Sequence, residues 1–413
     1  DNERTAEDYS MRLNAVVAGV GMTPFGKHLD KSIKWLGGQP ALDAIQDAGI
    51  SAGDIEAAYV GNCAAGLVTG QESIRGQVVL SSIGLGKFPI INIENACGSG
   101  STALNQAAMM ISAGYYDVVL VVGFEKLFHE NKAITYSAFG GAIDVEERDR
   151  FLASMSAGQS EGSGTKRSMF ADFYGVLARN YMASHGTELR HFAMISAKNS
   201  VHGSLNPRAQ FRNAMSVEEV LAQPVIVDPL TRPMICPVAD GGAAVVLVSE
   251  RKARQLGIHK PVRVVSSVVH SFFEHADGAA ENVTSISIAD AYHEAGVGPQ
   301  DLSLVELHDS SAVTEMITYE HLGLCAADDV GGFLERGESS LGGRIPVNTS
   351  GGLLRKGHPV GATGVAQLAE ITWQLQGRAG PRQVEGARVG LCHNGGGTLG
   401  NDTAVMNITI AMR

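Results

Sequence analysis

Short unbroken apolar runs occur at Ile90–Ile93 and at residues 118–122, and between them residues 99–113 form an Ala-rich stretch whose apolar positions recur with helical spacing. Strands buried on both faces give such runs, which mark parallel sheets flanked by helices. The same alternation fills both ends of the chain, so each half reads as α/β. The halves also echo each other. Residues 41–62 (ALDAIQDAGISAGDIEAAYVGN) and 288–309 (IADAYHEAGVGPQDLSLVELHD) each give a short helix, an Ala-Gly stop, an acidic residue and an apolar strand. Asp43 aligns with Asp290, Gly49 with Gly296 and Asp54 with Asp301. A second echo links CPVADGGAAVVLVSE, ending at Glu250, to GGGTLGNDTAVMNIT, ending at Thr409; each is a Gly turn feeding a β-branched run. Two echoes in the same order predict a duplicated fold.

Between Lys126 and Met234 the shared pattern breaks off. A Gly/Ser-rich segment, residues 154–168, leads into an aromatic helix around residues 170–182. A structureless loop of that size is uncommon inside a domain, so a lid or binding subdomain is expected there. At 413 residues the chain exceeds the usual size of a single core. The division that follows is an N-terminal half at 11–125 plus 235–255, an inserted loop domain at 126–234, and a C-terminal half at 256–413.

Composition narrows the function. A formal charge of −11 argues against a nucleic-acid binder, though not against a local basic patch for a phosphorylated ligand. The five cysteines, Cys63, Cys97, Cys236, Cys325 and Cys392, are odd in number and lack metal-site spacing, so no metal is expected and free thiols in a reducing compartment are. The opening DNERTAEDYSM is neither secretory nor Arg-rich, the closing IAMR is no peroxisomal tripeptide, and no apolar run approaches a membrane span. A cytoplasmic location is the expectation.

Four segments carry candidate chemistry. In NACGSGSTAL a strand ends, Cys97 follows at the turn, and a helix begins after small residues; the positive helix end is expected to lower the thiol pKa. In NTSGGLLRKGHPVGATG, His358 sits between Gly357 and Pro359 just before a helix over 362–375. His308 and Asp309 close the LSLVEL strand, the end at which open α/β sheets bind ligands, and a histidine there suits an oxyanion. GLCHNGGGTLG, residues 390–400, is a Gly-rich turn able to form an anion-binding nest. Each has an inert counterpart: a buried structural cysteine, a turn histidine, a plain tight turn.

Together these segments resemble the thiolase family over nearly the full chain. HDSS, MFADFYGVLARNYM and LNPRAQFRN resemble the branch named for sterol carrier protein, which acts on branched or sterol-derived acyl groups. The resemblance implies a five-layer αβαβα core of two similar halves, with the insertion holding CoA. It implies an acyltransferase that condenses or cleaves 3-oxoacyl-CoA, in fatty-acid or sterol side-chain metabolism, through an acyl group on Cys97. His358 would be the base that activates Cys97. His308, with a water, would serve the enolate oxygen. The N–H groups of Cys97 and Gly395 would form the other oxyanion hole, and Ser350 and Gly351 would touch substrate. CoA and acyl-CoA are expected as substrates, with no tightly bound cofactor. A homodimer or tetramer, with a possible small partner protein, is the implied assembly. Lys166, Arg167, Lys198 and Arg212 of the insertion are placed either to meet the CoA phosphates or to stand solvated, the commoner state of such residues.

Two departures stand out. His393 occupies the place of a second cysteine found in other thiolases, with Cys392 one residue earlier. Ser310 occupies the place from which the sterol-carrier branch supplies its acid/base cysteine, and a hydroxyl is too weak an acid for that role. His393 and Cys392 are therefore the candidates for proton transfer at Cα. Transfer of the acyl group to a non-CoA acceptor within a complex, or a non-catalytic subunit, are the competing functions.

Overall fold

Gly49 and Gly296 each stop a helix, Ile33–Ala48 and Val283–Ala295, in the left-handed conformation that a glycine adopts without a Cβ penalty (φ 66° and 65°). After each comes a single 3₁₀ turn whose aligned aspartate caps it: Ser51 donates its N–H to Asp54 at 2.9 Å and Gly298 to Asp301 at 2.8 Å. A strand then follows in both halves. The sequence echo is thus a structural repeat.

The computed structural model describes residues 13–155, 163, 167–276 and 278–413. Its strands are β1 (Ala15–Met22), β2 (Ala57–Gly61), β3 (Ile90–Ile93), β4 (Val118–Glu125), β5 (Val225–Val227), β6 (Leu230–Thr231), β7 (Gly241–Ser249), β8 (Val262–Ser271), β9 (Leu304–Glu306), β10 (Val389–Leu399) and β11 (Asp402–Met412). β5 and β6 pair with each other; the rest form one sheet in the order β3-β2-β4-β7-β1-β8-β11-β10-β9. From the centre outward, β1-β7-β4-β2-β3 repeats as β8-β11-β10-β9, and the pairing senses match. The first two pairs of each half are antiparallel and the next is parallel. The place of β3 in the second half is taken by a parallel bridge between Val305 and Val347. The halves join where β1 meets β8, from Ala15 opposite Val264 to Val17 opposite Val262.

Side-chain alternation along the strands builds the layers. On β4, Val118, Leu120 and Val122 pack toward helix Ile33–Ala48, while Val119 and Val121 pack toward helices Ser99–Ser112 and Thr363–Gln376. On β11, Ile408 and Ile410 pack toward helices Val283–Ala295 and Ala312–His321, while Ala411 joins the inner core. The result is five layers, αβαβα, with helices Ser99–Ser112 and Thr363–Gln376 between the two half-sheets. Helix Thr363–Gln376 is buried at every residue from Thr363 to Leu375. One expectation needs correction: Ile90–Ile93 is not buried on both faces but is a half-exposed edge strand. Ile90 packs partly against the outer core, and Ile91 and Ile93 partly against the inner one.

Residues 126–234 run from β4 to β7 and carry helices Met169–His185 and Leu189–Ser204, which pack against helix Ala312–His321 of the second half. Ser168 caps the first of these at its start and Gly186 stops it. Most of the Gly/Ser-rich segment, and the opening of the chain, lie outside the described residues. No described helix is long and apolar enough to cross a membrane.

The two central helices begin almost in contact. A Cβ on Gly100 would lie 2.7 Å from the Gly361 carbonyl oxygen, and one on Gly364 would collide with Ser101. Gly100→Ala is therefore expected to destabilise the protein by about 1–3 kcal/mol, the usual penalty of overpacking. Gly86→Ala, where a Cβ meets nothing within 4 Å, should stay within about 0.5 kcal/mol of the parent. Urea midpoints at unchanged m-value check both.

Candidate active site

β3 leads into a turn that the sequence ties tightly. Ala96 takes a left-handed φ of 49°, unusual for a residue with a side chain, and Ser99 Oγ accepts the Asn95 N–H at 2.9 Å while donating to the Ala96 carbonyl at 2.6 Å. This turn presents Cys97 at the start of helix Ser99–Ser112. From the other half, the loop before helix Thr363–Gln376 brings His358, whose Nε2 lies 3.3 Å from Cys97 Sγ. His308 arrives from the end of β9, with its ring centroid 5.0 Å from that of His358. One ligand-type atom from each of Cys97, His308 and His358 falls within 4.8 Å of the others.

Hydrogen bonds fix the tautomers. Thr363 Oγ1 donates to the Pro359 carbonyl at 3.2 Å, so it accepts from His358 Nδ1 at 2.9 Å. Nε2 of the neutral ring then carries a lone pair toward the thiol. Asn394 donates Nδ2 to the Cys97 carbonyl at 2.8 Å and to Ser101 at 3.0 Å, which leaves its Oδ1 to accept from His308 Nδ1 at 2.8 Å. Nε2 of neutral His308 is thereby also a lone pair. His393 Nδ1 accepts the His308 backbone N–H at 3.5 Å, and its Nε2 is buried with no protein partner.

Burial governs the charges. The helix end is expected to lower the Cys97 pKa; desolvation, helped by nearby Glu125, acts the other way and pushes it up to about 12, against opposing hydrogen bonds from the Gly397 and Cys97 backbone. Burial holds His358 well below its ordinary range, with His308 and Lys356 adding to the effect. Burial also lowers His308 to about 4 and His393 to about 3. The resting pair is a neutral thiol beside a neutral imidazole, a geometry in which one proton can pass from sulfur to nitrogen.

A cavity of about 360 Å³ opens above the pair. Helix Met169–His185 supplies one wall through Phe170, Phe173, Tyr174 and Leu177, a single helical face at i, i+3, i+4 and i+7. His308, His393 and Gly395 line the cavity as well.

Three candidates lie elsewhere. Cys392 is 4% exposed and packs into the inner core, because neighbours on a strand face opposite ways and His393 takes the cavity side. Ser350 is buried beneath the loop, donating to Glu306 at 2.5 Å and accepting from Lys356 at 2.9 Å. Gly351 packs on Gly203, where a Cβ would lie 2.7 Å from its Cα. Of the proposed phosphate contacts, Lys198 is buried in an ion pair with Glu315 and Arg167 pairs with Asp172. Arg212 is exposed, and Lys166 lies outside the described residues.

Supporting roles went unread in the sequence. Glu125 is wholly buried; its carboxylate accepts N–H groups from Cys63 (3.1 Å), Ala64 (3.1 Å) and Gly361 (3.0 Å), and burial raises its pKa to about 7. Asp309 accepts from Leu353 at 2.7 Å and Asn199 at 2.9 Å, tying the His308 strand end to the His358 loop and the insertion. Thr363 and Asn394 stand within the quoted motifs, but only their partners reveal what they do.

A thiol paired with an imidazole in an apolar cavity, carried on a duplicated αβαβα fold, defines an acyl-transferring enzyme. Residues 15–251 match the thiolase N-terminal domain and 266–408 the thiolase C-terminal domain-like family, and the chain belongs to the thiolase family. It is 37% identical to an acetyl-CoA acetyltransferase of Methanothermobacter thermautotrophicus, over 96% of this chain and 99% of that protein. It is 36% identical to the benzoylsuccinyl-CoA thiolase subunit BbsB of Thauera aromatica, over 94% and 96%. Human sterol carrier protein 2 is 34% identical, over 92% of this chain and 69% of that protein. Among solved structures, the Ltp2-ChsH2(DUF35) aldolase superposes with a TM-score of 0.76 at 23% identity, covering 96% of this chain and 97% of the other. Human mitochondrial 3-ketoacyl-CoA thiolase gives 0.69 at 18%, covering 97% and 99%.

The neutral resting pair makes a prediction. Alkylation of Cys97 by iodoacetamide should be flat through neutral pH, because His358 is already unprotonated there. In His358→Asn the rate near neutrality should fall by roughly 10²–10⁴-fold, as when general-base help is lost. The residual rate should then climb with pH toward the thiol pKa of about 12, since only thiolate reacts. An unchanged rate in the variant would assign activation to the helix end alone.

Proposed function

We propose that the protein catalyses reversible thiolytic cleavage or Claisen condensation of 3-oxoacyl-CoA through an acyl group on Cys97. The observation that carries this reading is the 3.3 Å contact from Cys97 Sγ to the His358 lone pair at the floor of an apolar cavity. Cys97 attacks the ketone carbonyl as His358 takes its proton. The Cys97 and Gly395 N–H groups stabilise the resulting oxyanion. His308 Nε2 accepts from a water, whose other hydrogen serves the thioester oxygen of the enolate. His393, with its Nδ1 engaged, carries its proton on Nε2 and donates into the same region.

Residues 126–234 form the CoA-holding loop domain in this reading, and the acyl group lies against the Phe170–Phe173–Tyr174–Leu177 face. A lipid-derived acyl group suits that apolar wall and the likeness to sterol carrier protein 2. The cysteines are all free, in keeping with a reducing, cytoplasmic setting. A homodimer or tetramer with a small partner chain is the proposed assembly, on the analogy of a relative named as a subunit and a neighbour named with a DUF35 component. The intact thiol–imidazole pair argues against a non-catalytic subunit.

Intact mass after mixing with acetyl-CoA should show one acetyl adduct, mapped to Cys97 and absent from Cys97→Ala. An adduct that persists on another cysteine would sink the assignment. His308→Ala should slow condensation more than acylation of Cys97, because its oxyanion forms only in the carbon–carbon step. Equal slowing of both, measured by stopped acylation and by product formation, would remove that role.

A further inference from the structure

Cleavage of the Cα–Cβ bond leaves an electron pair on Cα of the departing acetyl-CoA, and some group must supply a proton there. Cys392 fails on geometry, and the other polar groups nearby are each engaged elsewhere or held neutral. Cys392 lies in the inner core. His393 turns its Nδ1 to the His308 N–H at 3.5 Å, and burial favours its neutral form. His308 has its proton on Asn394 and a bare Nε2. Ser310 pairs with Thr314 at 3.4 Å and is a hydroxyl.

One thiol remains in the cavity between the two histidine loops. The Cys236 N–H donates to the Ser310 carbonyl at 3.0 Å, and Ile235 bridges Ser311. Two residues further on, Val238 bridges His358. Residues 235–238 are thus laced to the His308 loop at one end and the His358 loop at the other, and Cys236 lines the same cavity as Cys97, His308 and His358. Among the described residues, Asp309 and Cys97 act on its charge, and it acts on that of Tyr174. Cys63 also lines the cavity, but it sits with Cys97, Leu127 and Val360 on the Glu125 side.

We propose that Cys236 is the acid–base residue of the carbon–carbon step, the second thiol that position 310 does not provide. The proposal rests on the thiolase reading. In thiolysis, Cys236 S–H gives its proton to Cα as the Cα–Cβ electron pair moves onto the enolate, and acetyl-CoA leaves. The Cys236 thiolate then takes the proton of incoming CoA–SH, whose sulfur attacks acyl-Cys97. Cys97 sulfur departs and recovers its proton from His358. Condensation runs the same steps in reverse, with Cys236 thiolate removing a Cα proton. Burial, with Asp309 and Cys97 adding to it, keeps the thiol protonated at rest, which readies the site for the cleavage direction.

The test sets exchange of acetyl-CoA Cα protons in deuterated water beside acylation of Cys97 read by intact mass. Cys236→Ser should still acylate Cys97 while exchange and condensation fall by about 10²–10⁴-fold, the usual loss of acid–base help. Adding Ser310→Cys to that variant should restore exchange. Exchange at the wild-type rate in Cys236→Ser overturns the proposal, and its loss in Tyr174→Phe instead would transfer the role to the phenol. Should Cys236→Ser fail to acylate, Cys236→Ala takes its place: exchange at the wild-type rate overturns the assignment, and its loss with acylation intact supports it. A wild type that acylates Cys97 yet shows neither exchange, condensation nor thiolysis brings down the thiolase reading itself, and the Cys236 role with it.

Discussion

The active site depends on how closely two backbones approach at the centre of the molecule. Helices Ser99–Ser112 and Thr363–Gln376 start beside each other because Gly100 and Gly364 carry no side chains to hold them apart. The turn before one helix presents Cys97 and the loop before the other presents His358. Their 3.3 Å contact is therefore a property of the packing between the halves. Glu125 reinforces it from beneath, since one carboxylate accepts N–H groups from the Cys63 turn and from Gly361.

Placing the pair in a dry centre has an electrostatic result. A helix end favours thiolate by up to about 2 kcal/mol in favourable, partly buried geometries. Desolvation acts the other way and raises the Cys97 pKa. The same desolvation acts on the imidazole, so neither partner is charged before substrate arrives. The Thr363 hydrogen bond keeps the imidazole turned so that its lone pair is available to the thiol.

Much of this was legible in the sequence. The Gly49/Gly296 and Asp54/Asp301 echoes carried the duplication, because capping glycines and capping carboxylates leave fixed local spacings. Cys97 and His358 stood out as polar residues in small-residue turns. What escaped was non-local. The pKa of Cys97 depends on burial by elements more than two hundred residues away, which no local pattern records. Cys392 and His393 are adjacent in the chain yet face opposite layers, so only the strand register separates core from cavity. Ser350 and Lys198 look like ligand contacts in one dimension but are satisfied by Glu306 and Glu315 in three. Cys236 was visible as a cysteine, but its place between the two histidine loops required the bridges to Ser311 and His358.

The repeat within the sheet bears on how such a site can arise. Counted from the middle of the sheet, the helix entrance holding Cys97 and the one holding His358 are equivalent positions in the two halves. Two identical chains assembled around the same axis would put the same side chain at both entrances, giving two thiols or two imidazoles. Once both copies are joined in one polypeptide, each entrance mutates independently, and a thiol and an imidazole can be inherited as different residues. Asymmetry between the halves is thus the condition for the chemistry, and the symmetric frame is what keeps the two unlike residues in register.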